Sequence, residues 1–143
     1  MAVLGRLNEA ASLIAREHLG PVFARFGLHH GEFDVLATLR RAGPPYALTP
    51  TKLFEATMVT SGAMTARLDR LEKAGLVVRE PHPQDRRGVV VQLTDKGKQL
   101  IDDAVTAHVE NEHRILSGLT KAEQASLSDL LERLLASLAQ DRD

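Results

Sequence analysis

The stretch from Leu76 to Thr94, LVVREPHPQDRRGVVVQLT, constrains the fold more than any other part of the chain. Two apolar runs rich in β-branched residues, Leu76 to Val78 and Val89 to Val91, flank a loop holding Pro81, Pro83, Asp85, Arg86, Arg87 and Gly88. β-Branched side chains favour strands and a Pro/Asp/Gly cluster interrupts them, so the spacing predicts a two-stranded hairpin with a long tip. Adjacent arginines at an exposed tip are poor core material but good probes of phosphate or of a minor groove. Just upstream, Arg67-Leu-Asp-Arg-Leu-Glu-Lys-Ala-Gly75 reads as the end of a helix with a glycine stop. Helix, stop and basic hairpin occur in the order of a winged helix, which makes DNA binding the first function to test.

Size and composition narrow the class. At 143 residues with 43% hydrophobic and 26% charged side chains, the chain suits a single globular domain with a real core. The absence of cysteine excludes disulfides, thiolate metal sites, cysteine nucleophiles and thiol-based redox sensing. No apolar run approaches membrane length and no secretory leader pattern opens the chain, so a cytoplasmic protein with no membrane partner is expected. The net charge of −1 is uneven. Residues 1–49 carry five basic and four acidic side chains, residues 50–98 nine and six, and residues 99–143 four and nine. Binding to a polyanion depends on local neutralisation, so the basic middle matters more than the total.

Helical patterning surrounds the hairpin. Leu4, Leu7, Ala11 and Ile14 recur at helical spacing, and Gly20-Pro21 is expected to interrupt or kink that helix. A second helix is expected from near His30, burying Phe33, Leu36 and Leu39 and ending at Ala42-Gly43-Pro44-Pro45. Thr49-Pro50 signals a short helix to about Ala56, and Thr60 an N-cap for a longer one with Met64, Leu68 and Leu71 inward. Thr94 is expected to cap a helix of about twenty residues in which Gly97 is a mild weakness. Thr120-Lys-Ala-Glu123 fits a capping box for the last helix. That helix sets Leu127, Leu131, Leu134 and Leu138 on one stripe, widened by Leu130 and Leu135. Packing on the first helix of the same chain would account for the stripe. The favoured reading is a dimer interface built from Leu4, Leu7, Ile14, Leu127, Leu131, Leu134 and Leu138, because a symmetric DNA reader needs one.

The fold class expected is mainly α with a small β-hairpin wing: residues 28–94 a winged helix-turn-helix, residues 1–26 and 95–143 dimerisation helices. In a helix-turn-helix the second helix enters the major groove by its N-terminal end. Thr60, Ser61, Gly62 and Thr65 are small or hydroxyl-bearing there, with Ala66 beside them, and Arg67 and Arg70 follow. With Arg86 and Arg87 of the wing they form the candidate DNA-binding set. Asp85 is expected to pair with Arg87 across the tip and hold it in one direction, leaving Arg86 for phosphate. Asp69 and Glu72 interleave with the helix arginines as candidates for intrahelical pairs.

The wing reads Asp85-Arg86-Arg87-Gly88-Val89-Val90-Val91-Gln92-Leu93-Thr94, matching the D-x-R-x-x-x-V-x-L-T signature of the MarR family of winged-helix transcriptional regulators. EFDVLATLRRAG, MVTSGAMTARLDRLEKAGLV and LTDKG upstream and downstream also resemble that family, over roughly residues 28–139. The resemblance implies an obligate homodimer with intertwined terminal helices, recognition helices in successive major grooves and wing arginines in flanking minor grooves. Many relatives have a basic or polar residue where this chain has Ala66. The family's usual response to a small molecule in the crevice between dimerisation helices and winged domain implies an effector of unknown identity. EFDVLATLRRAGPP resembles the urate-responsive branch, which implies roles for Asp34, Arg67 and Arg70 in holding a ligand. An N-terminal tryptophan of that branch has no counterpart here.

Other chemistry has little support in the residues. His29, His30, Glu32 and Asp34 form one histidine/acid cluster and His108, Glu110, Glu112 and His113 another, but neither sets two histidines at i, i+4, so no metal and no cofactor is expected. Neither a glycine-rich phosphate loop nor a G-x-S-x-G elbow occurs, so no enzyme is expected. The competing reading is a winged helix that binds another protein, although such a wing has no need of paired arginines at its tip.

Overall fold

The computed structural model describes residues 1–57 and 61–141. In chain order, α1 (Ala2–Leu13) runs through a π-helical stretch (Ile14–Leu19) into α2 (Gly20–Ala24). Then follow α3 (His30–Arg41), β1 (Ala47–Leu48), α4 (Pro50–Thr57), α5 (Ser61–Lys73), β2 (Val77–Pro81), β3 (Val89–Leu93), α6 (Asp95–Ile115) and α7 (Lys121–Gln140).

Helix starts follow the local chemistry. Thr49 Oγ1 accepts the Lys52 N–H at 3.2 Å, and Thr94 Oγ1 accepts the Gly97 N–H at 3.0 Å. Thr120 and Glu123 form the reciprocal capping box, at 3.1 and 2.9 Å. The expected cap at Thr60 falls outside the described residues. One cap was not anticipated. His29 Nδ1 accepts the N–H groups of Gly31 and Glu32 at 3.1 and 3.4 Å, and Glu32 Oε1 returns a bond to the His29 N–H at 3.1 Å. An imidazole thus does the work usually given to a hydroxyl or carboxylate.

The N-terminal helix differs from expectation in kind. Gly20-Pro21 does not break it; the irregularity lies upstream, where six residues widen into π geometry. Proline lacks an N–H and its ring crowds the preceding turn, so the ladder must change before Pro21. The buried Asn111 of α6 donates its Nδ2 to the His18 carbonyl at 2.8 Å, serving a group within that stretch.

The hairpin has gained a third strand. β3 is central in the order β1-β3-β2, all antiparallel, with Arg79 opposite Val91, Pro81 opposite Val89 and Leu48 opposite Val91 on its other side. β1 is only two residues long and follows a Pro-rich loop, which hid it in the sequence. Gly75, at φ 77°, ends α5 as its sequence implied. Thr94 Oγ1 then donates to the Gly75 carbonyl at 2.6 Å, tying the end of the wing to the end of the helix.

The core gathers Phe23, Val35, Leu36, Leu39, Leu53, Met64, Leu68, Leu71, Val77, Val91 and Ile101, all buried. Met64, Leu68 and Leu71 face inward as the α5 pattern required. Gly97 is no weakness. A Cβ built there would lie 2.0 Å from the Leu76 carbonyl oxygen, so glycine is what lets α6 close on the start of β2. By contrast, α1 and α7 bury no residue. No helix among the described residues is long and apolar enough to cross a membrane.

Candidate nucleic-acid interface and effector crevice

Along α5, Gly62, Thr65 and Ala66 are exposed on the side away from Met64 and Leu68. These are the early positions expected to approach a duplex, and α5 begins at Ser61 itself. At the wing, Asp85, Arg86 and Arg87 are all exposed. Asp85 works differently from expectation. Its carboxylate accepts the backbone N–H of Arg87 at 3.0 Å, the Asp85 carbonyl accepts the Gly88 N–H at 3.0 Å, and the Gly88 carbonyl accepts the His82 N–H at 2.9 Å. The carboxylate lies two residues from the peptide it bonds, which makes an Asx turn easier to form than a pair with a long guanidinium. The tip backbone is therefore ordered while Arg86 and Arg87 carry no ion pair among the described residues. They are cations held out on a fixed turn.

The two arginines of α5 point elsewhere. The Arg67 guanidinium lies against Gly31 at the start of α3: a Cβ on Gly31 would sit 2.3 Å from Arg67 Cζ. Its Nη1 is buried without a hydrogen-bond partner among the described residues. Arg70 is 3.8 Å from the buried Glu32 carboxylate through Nε and touches His29 Nε2 through Nη2. Both therefore gather over the first turn of α3. Asp34 is not part of that meeting; its carboxylate lies 3.4 Å from His30 Nε2. Of the three residues expected to hold a ligand, the fold brings two together and supplies Glu32 and His29 where Asp34 was expected. Arg67, turned inward, leaves the exposed DNA-facing set. Burial chiefly, helped by Arg70, Arg67 and His30 and opposed by Glu32, holds the His29 pKa below the usual histidine value, so the ring favours its neutral, capping form.

Asp69 and Glu72 do not pair within the helix. Both reach Arg79 on β2: Nη2 donates to Asp69 Oδ1 at 2.6 Å and to Glu72 Oε1 at 3.0 Å, Nε donates to Glu72 Oε2 at 3.3 Å, and the Arg79 backbone N–H donates to the same oxygen at 3.1 Å. Those bonds hold the Glu72 carboxyl below the usual carboxylate range. An arginine following two valines, seven and ten residues after acids at i+3 and i, was the available signal for this contact. Beside it a cleft of about 410 Å³ opens between Pro50, Phe54, Met64, Leu68 and Val89.

The histidine/acid clusters resolve into pairs, His30–Asp34 and His108–Glu112 at 2.8 Å, and among the described residues no group of three such side chains is placed to hold a metal. On α1 and α7, Leu4, Leu127, Leu134 and Leu138 are exposed and Leu7, Ile14 and Leu131 half-buried, so all seven candidate interface residues remain open to a partner.

The successive helices α4 and α5, a three-stranded sheet ending in the wing and exposed arginines at its tip define a winged helix-turn-helix protein. A family model described as MarR family matches residues 26–88. The chain is 46% identical to the HTH-type transcriptional regulator PecS of Dickeya dadantii over 142 residues, covering 99% of this chain and 85% of that protein. It superposes with a TM-score of 0.82 on mutant MarR from E. coli complexed with operator DNA, at 32% identity over 92% of this chain and 93% of that one. It superposes with a TM-score of 0.76 on BpsR of Bordetella bronchiseptica, a protein whose DNA binding is regulated by 6-hydroxynicotinic acid, at 25% identity over 94% and 98%. The chain belongs to the MarR family of winged helix-turn-helix transcriptional regulators.

Proposed function

We propose that this regulator acts as a homodimeric, ligand-responsive repressor reading a pseudo-palindromic operator on double-stranded DNA in the cytoplasm, with no catalytic step. Residues 28–94 read the duplex and residues 1–26 and 95–143 hold the dimer. The observation that carries the reading is the wing: its backbone is locked by Asp85 while Arg86 and Arg87 have no anionic partner among the described residues. An ordered turn presenting unpaired guanidinium groups lowers the entropy cost of inserting them into a narrow, electronegative minor groove. Ser61, Gly62 and Thr65 contact the major groove, with Thr60 at its edge, and Arg87 carries more of the affinity than in relatives with a basic residue in place of Ala66.

The test is binding to the DNA upstream of the chain's own coding sequence across a salt series. Specific binding should weaken steeply with salt as counterions are released. Arg87→Ala should bind at least about tenfold more weakly with unchanged folding and dimer mass, a loss of the size expected for a buried charge-assisted contact. The footprint should show two half-sites roughly 10 bp apart, centre to centre. Near-normal binding by Arg87→Ala would sink the wing's role.

Arg67 and Arg70, over the first turn of α3, are the proposed effector contacts, with Asp34 one turn further along. An unpartnered buried donor costs about 1–3 kcal/mol, which a ligand acceptor would recover. A thermal-shift screen of small aromatic acids and purines should find a stabilising anion whose effect disappears in Arg67→Ala.

A further inference from the structure

We propose that Arg79 is a positioning residue for DNA recognition: through Asp69 and Glu72 it locks α5 to the base of the wing, so that both reading elements meet the duplex at one fixed separation. The inference rests on the function proposed above and names the device that aligns its two halves.

Glu72 receives three hydrogen bonds from residue 79, and one of them comes from the peptide N–H. That bond fixes the strand and not merely a side chain. Arg79 stands opposite Val91, and the strand pairing ends two residues further out, at Pro81 opposite Val89. Beyond that point lie only the turn and its arginines, so a small rotation at Arg79 becomes a larger displacement at Arg87. Apolar packing secures the base of this side, where Val77 and Val91 are buried with Leu68 and Leu71, and thins toward the tip. A cleft opens between α4, α5 and β3, and Phe54 and Val89 at its edges are 41% and 42% exposed. Outward from that buried base and from the Thr94–Gly75 tie, the ionic clamp sets the direction of the hairpin relative to α5.

The clamp also explains two carboxylates on a helix that must approach phosphates. Exposed ion pairs add little to stability, so their value here is geometric. Replacing Asp69 and Glu72 together by Asn and Gln removes negative charge from the reading helix. Electrostatics alone would then tighten DNA binding. The clamp requires the opposite: roughly tenfold weaker binding, the size typical of coupled contacts, with thermal midpoint and dimer mass nearly unchanged. Arg87→Ala should cost less in the clamp-free background than in the parent, because a wing no longer aligned has less to lose. Arg79→Lys keeps the charge but not the forked geometry and should fall between parent and double variant. The probe is the fragment of the chain's own upstream DNA that the parent protein binds. Equal or tighter binding by the doubly neutral variant, or an unchanged cost of Arg87→Ala in it, overturns the clamp while leaving the regulator intact. A parent protein that binds no fragment overturns the regulator reading itself, and the clamp's purpose with it.

Discussion

The winged core and the C-terminal helix stand in contrast. In the core, Val35, Leu36, Leu39, Leu53, Val77, Val91 and Ile101 are wholly enclosed by their own chain. In α7, twenty residues long and properly capped at Thr120, nothing is buried, and Leu130, Leu135 and Leu138 are 58%, 66% and 52% exposed. An isolated helix of that length is marginal in water, and most helical stability comes from packing an apolar face. The core is therefore finished within one chain. We propose that the α7 stripe, with Leu4 and its neighbours on α1, is finished by a second copy in the homodimer.

The largest test of that contrast is to charge the stripe. Replacing Leu131 and Leu134 together by Asp should abolish the dimer and specific DNA binding. The winged core, if it persists, should do so only as a monomer in sedimentation. A native dimer at low micromolar concentration would show that the interface lies elsewhere. A core change provides the control: Leu36→Ala should cost about 2–5 kcal/mol in either oligomeric state, since its neighbours all belong to the same chain.

A smaller test lies where the regions join. Helix propensity alone predicts that Gly97→Ala stabilises α6 by about 1 kcal/mol. The 2.0 Å approach to the Leu76 carbonyl predicts the reverse, a loss of roughly 1–3 kcal/mol from overpacking, and chemical denaturation decides the sign.

The smallest effect concerns His29. Its folded pKa lies below the unfolded value of 6.5, so the neutral form is favoured by folding. Its contribution is fully present above pH 6.5 and is lost as pH falls through the depressed folded value. Protonation removes the lone pair that caps α3 and sets a positive ring beside Arg70 and Arg67, with only Glu32 to offset it. His29→Asn keeps an N-cap without a titrating group. The decline in thermal midpoint between pH 7 and 5 should become shallower in that variant; parallel profiles would show that His29 does not carry it.

Much of this molecule was readable from local patterns. The caps at Thr49, Thr94 and Thr120, the glycine stop at Gly75, the inward Met64/Leu68/Leu71 stripe and the hairpin each depend on residues a few positions apart, and each formed as expected. The wing signature and the family followed from them. Failures came where a partner is distant in sequence. Gly20-Pro21 was expected to interrupt or kink the helix, and a π stretch just upstream, with Asn111 ninety-three residues from His18, absorbs it instead. Gly97 looked like a defect until Leu76 came against it. Asp69 and Glu72 looked like intrahelical partners until β2 brought Arg79 to them.

What the sequence determined by itself is most of the helices, the hairpin and the exposed cationic tip. Propensity, capping and the order of helix, stop and basic hairpin are short-range, and they define a winged helix whose wing tip is cationic. Tertiary structure alone decided which charges are free. Arg67 and Arg70 are drawn onto α3 and Arg79 onto α5, and Arg86 and Arg87 have no ion pair among the described residues, because a charge's partner is chosen by the packing of whole elements rather than by its neighbours in the chain.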